Sequence, residues 1–591
     1  MRKILLTMCL FTTVAVSAQR IFTAVADDDW NKATTWSISD VGNILGTTNT
    51  IPSSIDQVNI PSHQVDVRAA SFAKSILVGN ADSSTQLFVR HNGELTVEED
   101  VLLTRSLNSF RLVSGSNTAV QELGTIIIKG NVKDQSNTSD RRFRIDYRLE
   151  NNRFYLLSAF SSGNPRLVWM TNSTEFDTNA TSRAFSVYKN ENADGSKYDY
   201  LTNGTIANNS STNNIAGVIP KNGVGLSVQV DSGNSNKGKV VWEGQYSRGA
   251  TSSTPIDVDG TTNDAFNLVG NAYLSNIYGN TNANATNILS QNSGILAEQT
   301  LWFWDAENTN FVVKNQSSTA FTIPPLTGFF VKSAPAGGNF TFTKTTMETH
   351  TSMGDILVAK NADQRFEINL SVANGKLNRT TSIKYIDNMT TSFDNGYDSS
   401  VFGGYASELE IYTGLVEGGS AKKLAIQSLP NANFEDMIVP VGVTAAANSE
   451  ITFTAKALNV PTGYKVFLED RSNNTFTRLD EANSKYTATV TEKSTDGRFY
   501  VHARSSALSL DAELLNSVSI YKSNASTLRV VGLSQGNSTI SLYNVLGKQV
   551  MSSKFNANGV KEISLPKLAK GVYIVQLETE NGKLNKKIVL E

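Results

Sequence analysis

The chain has 591 residues, a formal charge of −2 and one cysteine, Cys9. That length exceeds a single hydrophobic core and implies several domains. The near-neutral balance, with basic residues scattered, excludes a net field for nucleic acid or an anionic membrane surface. Charged residues are 18%, below the roughly 25% of ordinary soluble domains. Asn, Thr, Ser and Gly fill the difference and favour turns over helices. Apolar residues recur in short alternating runs with no sustained helical period, the pattern of an all-β, multidomain chain.

Residues 1–18 read as a signal peptide. Arg2 and Lys3 form a short positive region, Ile4–Val16 is apolar apart from threonines, and cleavage is expected between Ala18 and Gln19. The apolar run falls short of the about 20 residues a membrane span requires. Met8 before Cys9 does not suit a lipoprotein signal. Removal of this segment leaves no cysteine, which excludes thiol catalysis and cysteine-ligated zinc.

Residues 19–151 open with DWNKATTWS, which places Trp30 and Trp36 near the start, and continue through IPSSIDQVNIP at 51–61. Short apolar runs follow at 64–67, 75–78, 86–89, 94–97, 110–113 and 125–132. Such runs with polar turns between them suit a short parallel β-helix, each coil burying its apolar side on the next. Their irregular spacing leaves a β-sandwich as the alternative.

Residues 152–350 carry further β segments: FYLLSAF, GVGLSVQV, VVWEG, FNLVGNAYLSNI, LWFWD and IPPLTGFFVKS. Alternation puts Trp302 and Trp304 on one strand face, as core residues or as a sugar-stacking platform; with Trp169 and Trp242 they are the candidate carbohydrate contacts. Core is the preferred reading, since large aromatics fill interiors. Residues 360–504 continue the β pattern, with a hairpin signal at Asn374-Gly375. A linker from Ser505 leads to a final β domain at 511–591. There Ile540 and Leu542 share one strand face and Tyr573, Val575 and Leu577 another. Asn558-Gly559 and Asn581-Gly582 read as two-residue hairpin turns.

Motifs for chemistry are sparse. Gly532-Leu533-Ser534-Gln535-Gly536 matches the serine-hydrolase expression, but a strand follows it where a helix is required, so it reads as a hairpin loop. GNSNKGK at 233–239 is one residue short of a phosphate loop and also precedes a strand. The four histidines, His63, His91, His350 and His502, are far apart and lack zinc-site spacing. No cofactor is expected. Calcium is the one metal considered, at two acidic turns: Asp257, Asp259 and Asp264, and Asp394 with Asp398. The ordinary use of such sequences in β-turns is the preferred reading. No catalytic set emerges, and the expectation is that the protein is not an enzyme.

Two stretches carry a resemblance. LYNVLGKQV at 542–550 and LAKGVYIVQLETENGKLNKKIVLE at 568–591 resemble the type A C-terminal sorting domain of Bacteroidetes cargo proteins of the type IX (Por) secretion system. The resemblance implies an Ig-like sandwich whose signal residues are Gly547, Gly571, Tyr573, Gly582, Lys586 and Lys587. The usual Y-P-N-P reads Tyr521-Lys522-Ser523-Asn524 here. Upstream, Thr35-Trp36, Pro52 and Asp56-x-Val58-x-Ile60 resemble the start of β-helical segments in such proteins. Residues 152–350 resemble a module found before sorting domains, with Ala272 and Leu274 in place of two prolines, a change expected to loosen that turn. Residues 360–504 resemble a β-sandwich that precedes the sorting domain; the matching pieces include FDNGYDSSVF at 393–402.

The resemblance implies passage through the periplasm to the outer-membrane cell surface or the medium. The type IX machinery is then a partner, with surface lipopolysaccharide or extracellular glycans as further candidates and nucleic acid excluded. The leading expectation is a non-catalytic adhesin-like or structural protein. The alternatives are an extracellular polysaccharide-active enzyme and a carbohydrate-binding accessory protein.

Overall fold

A computed structural model describes residues 20–590 with internal omissions, the longest being 114–122, 135–142, 160–181, 203–221, 230–238, 257–264, 354–363 and 506–517. The architecture is all-β. Its first part is a parallel β-helix with three faces.

One face stacks Ile21–Ala24, Gln57–Ile60, Ser75–Val78, Val101–Leu103 and Val132–Asp134 in parallel. The second stacks Asp28–Asp29, Gln64–Val67, Gln86–Val89, Phe110–Val113 and Phe143–Arg148. The third stacks Ala70–Ala73, Glu94–Val97 and Thr125–Ile128. All six apolar runs singled out in the sequence contribute strands to these faces. Their spacing is irregular because the turns between faces vary in length while the strands stay in register. Inward residues form columns, such as Val65, Leu87, Phe110 and Phe143, each at most 2% exposed. Burying like on like in successive coils is what makes a solenoid cohere.

A solenoid also needs its two ends covered. At the first end, Trp36–Asp40 pairs antiparallel with the opening strand, and Asn43–Thr47 pairs antiparallel with Trp36–Asp40. Trp30 and Trp36 are fully buried at this end, with ring centroids 5.1 Å apart, and the Trp36 indole N–H donates to the Trp30 carbonyl at 2.8 Å. Asp56 fixes the neighbouring turn by accepting from the Arg20 guanidinium and from the Ser53 amide and hydroxyl.

The second end is closed by the following region. Lys239–Gly244 pairs antiparallel with Phe143–Arg148, so the VVWEG segment extends the β-helix. Leu157, Phe185, Leu226, Val228, Leu274 and Leu326 join the same apolar cluster as the helix interior. Leu274 occupies one of the positions expected to loosen the turn, yet the turn is locked. The Asn271 side chain donates to the carbonyls of Ser275, Ile323 and Pro324 and accepts from the Tyr273 amide. Leu274 itself is fully buried as an end plug. In the same cluster Leu326 holds a φ of 59°, a costly conformation for a bulky residue, with its side chain fully buried.

Beyond the plug, two four-stranded antiparallel sheets pack face to face. One contains Phe154–Ser158, Gly225–Gln229, Ser182–Tyr188 and Tyr198–Thr202; the other contains Phe266–Gly270, Gly328–Ser333, Leu296–Asp305 and Asn310–Asn315. Phe266, Leu268, Trp302 and Phe330 lie between them with Leu156, Tyr188 and Tyr198. Trp302 is fully buried, edge-on to Phe266.

Glu367–Ser505 forms the next β body around its own apolar core. The hairpin at Asn374-Gly375 is present: Gly375 has a φ of 83°, and the Asn374 side chain accepts from the amides of Lys376 and Leu377. Asparagine in this body takes the left-handed turn positions, at Asn388, Asn433, Asn448, Asn459, Asn474 and Asn483.

This body is bolted to the paired sheets by Tyr397–Phe402. The Asn315 amide donates to the Tyr397 carbonyl, the Trp302 indole to the Ser400 carbonyl, and the Ser400 amide and hydroxyl to buried Glu298. Phe402 inserts among Phe266, Phe311 and Phe330 at 4.5, 4.0 and 4.7 Å. Lys384, whose ammonium is pulled down to about 8 by burial, joins Arg365 in donating to the Ser317 carbonyl.

Candidate functional site

The final body is made of Ser519–Asn524, Thr527–Asn544, Gln549–Ser564, Gly571–Thr579 and Gly582–Leu590. Two of its strands are long enough to serve twice. The first half of Thr527–Asn544 pairs with Ser519–Asn524 and its second half with Gly571–Thr579, while Gln549–Ser564 runs along both halves. Residues from both halves, including Leu528, Val530 and Ile563 with Ile540, Leu542, Val575 and Leu577, share one core. The halves therefore fold over each other as a small sandwich, with the predicted inward faces buried.

Two turn assignments are corrected here. Gly532–Gly536 is not a hairpin loop but an irregular bend within the long strand, where the register shifts and Leu533 is buried. Asn558-Gly559 is the matching irregularity in the partner strand, opposite Leu533, rather than a turn. Alternating residues on both sides of an Asn-Gly pair fit a bulge as well as a hairpin, and the bulge gives the sharp bend this closure needs. The last two strands do form a hairpin, with Thr579 opposite Gly582; Asn581 lies outside the described residues.

The predicted signal residues are divided between scaffold and surface. Tyr573 is 7% exposed in the core, and its hydroxyl donates to the Ala569 carbonyl at 2.9 Å, fixing the entry to its strand. Gly571 faces Leu590, and Gly582, with a φ of 128°, starts the last strand. Gly547, with a φ of 78°, closes a tight turn in which the Asn544 side chain accepts from the amides of Leu546 and Lys548. That turn exposes Val545 and Leu546, 71% and 89% accessible. Lys586 and Lys587 are both exposed on the last strand, which is the edge of its sheet. Beside Lys587, which faces Ile574, Val589 is also exposed. Sequence reasoning missed the tip and this half-apolar outer face, although the LYNVLGK run contains the tip residues.

The other predicted positions do not gather. Asp398 is fully buried and accepts from the amides of Asp394 and Ser428 at 2.7 and 2.6 Å; burial pushes its carboxyl up to about 7. Asp394 points to the amide and hydroxyl of Thr390. The two carboxylates thus brace the turn that carries Tyr397–Phe402. Asp257, Asp259 and Asp264 lie outside the described residues, as do Ala18, Gln19, Trp169 and most of 233–239. Among the described residues no three His, Cys, Asp or Glu side chains are placed to share a metal ion.

His350 stands between the hydroxyls of Thr96 and Thr125 at 2.8 and 2.7 Å on two successive coils, and burial pulls it down to about 4. His502 pairs with Glu469 at 2.9 Å, and His63 with Asp27 at 3.1 Å. Trp302 donates within the joint and Trp304 to the Phe154 carbonyl. The core reading of Trp302 holds, because a fully buried ring cannot stack on a sugar.

Comparison with known protein families finds two matches that divide the chain. Residues 519–591 match the secretion system C-terminal sorting domain. Residues 21–502 match a family described as a domain of unknown function (DUF8693), which runs unbroken through the β-helix, the paired sheets and nearly all of the Glu367–Ser505 body. No curated protein matches the chain. The sorting domain makes the protein a cargo of the type IX secretion machinery, delivered to the cell surface or the extracellular space. The chain belongs to the DUF8693 family, and its described body is followed by a type A sorting domain.

Proposed function

We propose that the exported body is a non-catalytic, adhesin-like or structural protein of the cell surface, in which residues 21–502 act as one elongated module. The observation that carries this reading is where the chemically capable side chains are used. His350 ties the paired-sheet region to two coils of the β-helix. Glu298 is held by Ser400, with Lys332 and Lys422 at 3.5 and 3.7 Å, and Asp470 by Arg498 and Tyr486. Asp66 and Asp146 bind the arginines that line the outside of the β-helix. Buried titratable groups thus serve as joints between strands and bodies, which suits a load-carrying element.

In this reading the sorting domain is removed during export, and the body is attached to surface lipopolysaccharide or released. No cofactor takes part. The test has two arms. Deletion of the protein should reduce surface attachment or gliding, and the purified mature chain should release neither reducing ends nor unsaturated products from a panel of polysaccharides. Turnover of any polysaccharide by the pure protein overturns the reading in favour of an enzyme.

A further inference from the structure

A cleft of about 50 Å³ opens where the Glu367–Ser505 body meets the paired sheets. That is room for a few water molecules, so an occupant enters by an edge. Phe311, Val313 and Phe402 form its apolar side, with Asn310, Arg379 and Glu410 among its polar lining. Phe402 and Phe311 hold each other at 4.0 Å. Arg379 is fixed by donating to the carbonyls of Asn308, Thr309 and Asn378, on both sides of the seam. The polar groups are therefore placed by the joint itself and do not depend on a loop.

Glu410 differs from the other carboxylates named above. It is half-buried on the strand Glu410–Thr413, and within the described residues its carboxylate accepts no hydrogen bond. Burial pushes it above the ordinary carboxylate range, against the opposing charges of Lys423 and Arg379. Lys423 lies over the Tyr412 ring at 4.2 Å. A half-buried carboxylate with no donor among the described residues costs stability, and such a cost is one mark of a binding position.

We propose that this cleft binds one edge of a neutral sugar ring. Glu410 accepts from adjacent hydroxyls, Asn310 serves a further ring oxygen, and the part-exposed Phe311 meets its C–H face, while buried Phe402 and Arg379 hold these groups in place. The choice of ligand follows from charge and shape. Glu410 is offset by Arg379 and Lys423, so neither a cation nor an anion is favoured. Aromatic carbon beside a few convergent polar groups is the usual lining of a small-molecule site, and seams between domains are where such sites concentrate.

The test uses the mature chain and four free sugars: glucose, galactose, mannose and N-acetylglucosamine. Each is examined by saturation-transfer NMR at about millimolar concentration, where one small contact set binds measurably. At least one sugar should show transfer. The Glu410→Gln variant should bind it roughly tenfold more weakly while melting at a higher temperature than the unmodified chain at neutral pH. Asn310→Ala should also weaken binding. Absence of transfer from all four sugars, or unchanged binding in Glu410→Gln, overturns the proposal. So does a lower melting temperature in Glu410→Gln, which would mark the carboxylate as structural. None of these outcomes bears on export or on surface attachment.

Discussion

The Leu274 carbonyl accepts a 2.7 Å hydrogen bond from the amide of Ile126, on the last strand of the third β-helix face. Through this bond the paired-sheet region takes the place of the next coil. Leu274 is simultaneously a backbone partner and an apolar plug. The β-helix is thus completed by residues about 150 positions further on, and a family match that does not stop at residue 151 has a physical basis.

Shortening this plug is expected to be costly. Leu274→Ala should destabilise the protein by about 2–5 kcal/mol, the range for deleting a buried leucine. Urea unfolding followed by circular dichroism measures it. A change within 0.5 kcal/mol, the size of an ordinary surface effect, would contradict the plug.

The His350 joint makes stability fall on acidification. Its folded value is about 4 against an ordinary 6.5, so between these the unfolded chain binds more protons. Its contribution is full above pH 6.5 and is lost as pH falls towards 4. Urea unfolding of the unmodified chain and of His350→Gln across that window should differ by this slope, the variant lacking it.

Asp398 acts with the opposite sign. Its folded value is about 7 against 3.8, so the folded chain binds more protons between them. Its contribution makes stability decline as pH rises from 3.8 to 7, while the two amide bonds it accepts work against the shift. Asp398→Asn should flatten that decline and, by offering a single acceptor oxygen, lower stability at acidic pH. The two windows overlap, so parallel unfolding series of each variant against the unmodified chain separate the two opposite contributions.

The exposed tip of the sorting domain separates folding from export. Replacing Val545 and Leu546 with serine should change stability by less than about 0.5 kcal/mol, as exposed positions do. The same double substitution should reduce the amount of protein reaching the surface, because exposed apolar pairs are contact points. Surface immunoblotting beside a thermal melt of the isolated variant checks both halves.

Legibility in the sequence followed range. The β-helix strands and the faces of Ile540, Leu542, Tyr573, Val575 and Leu577 were readable because alternation is a local property. The Asn374-Gly375 hairpin was readable for the same reason. Asn558-Gly559 was misread because only the partner strand distinguishes a bulge from a turn. Leu274 was misread because its role is set by a distant solenoid end. The Tyr397–Phe402 joint and the Glu410 cleft join segments about 70 to 100 residues apart, and nothing in either segment alone announces the meeting.

The central claim is that the final β body addresses the protein for export. A fluorescent reporter fused to Asp511–Glu591, with and without the last ten residues, tests it most directly. Those ten residues contain the whole edge strand Gly582–Leu590, including Lys586 and Lys587. The intact fusion is expected outside the cell or on its surface, and the shortened one in the periplasm. Retention of both fusions in the periplasm would contradict the account.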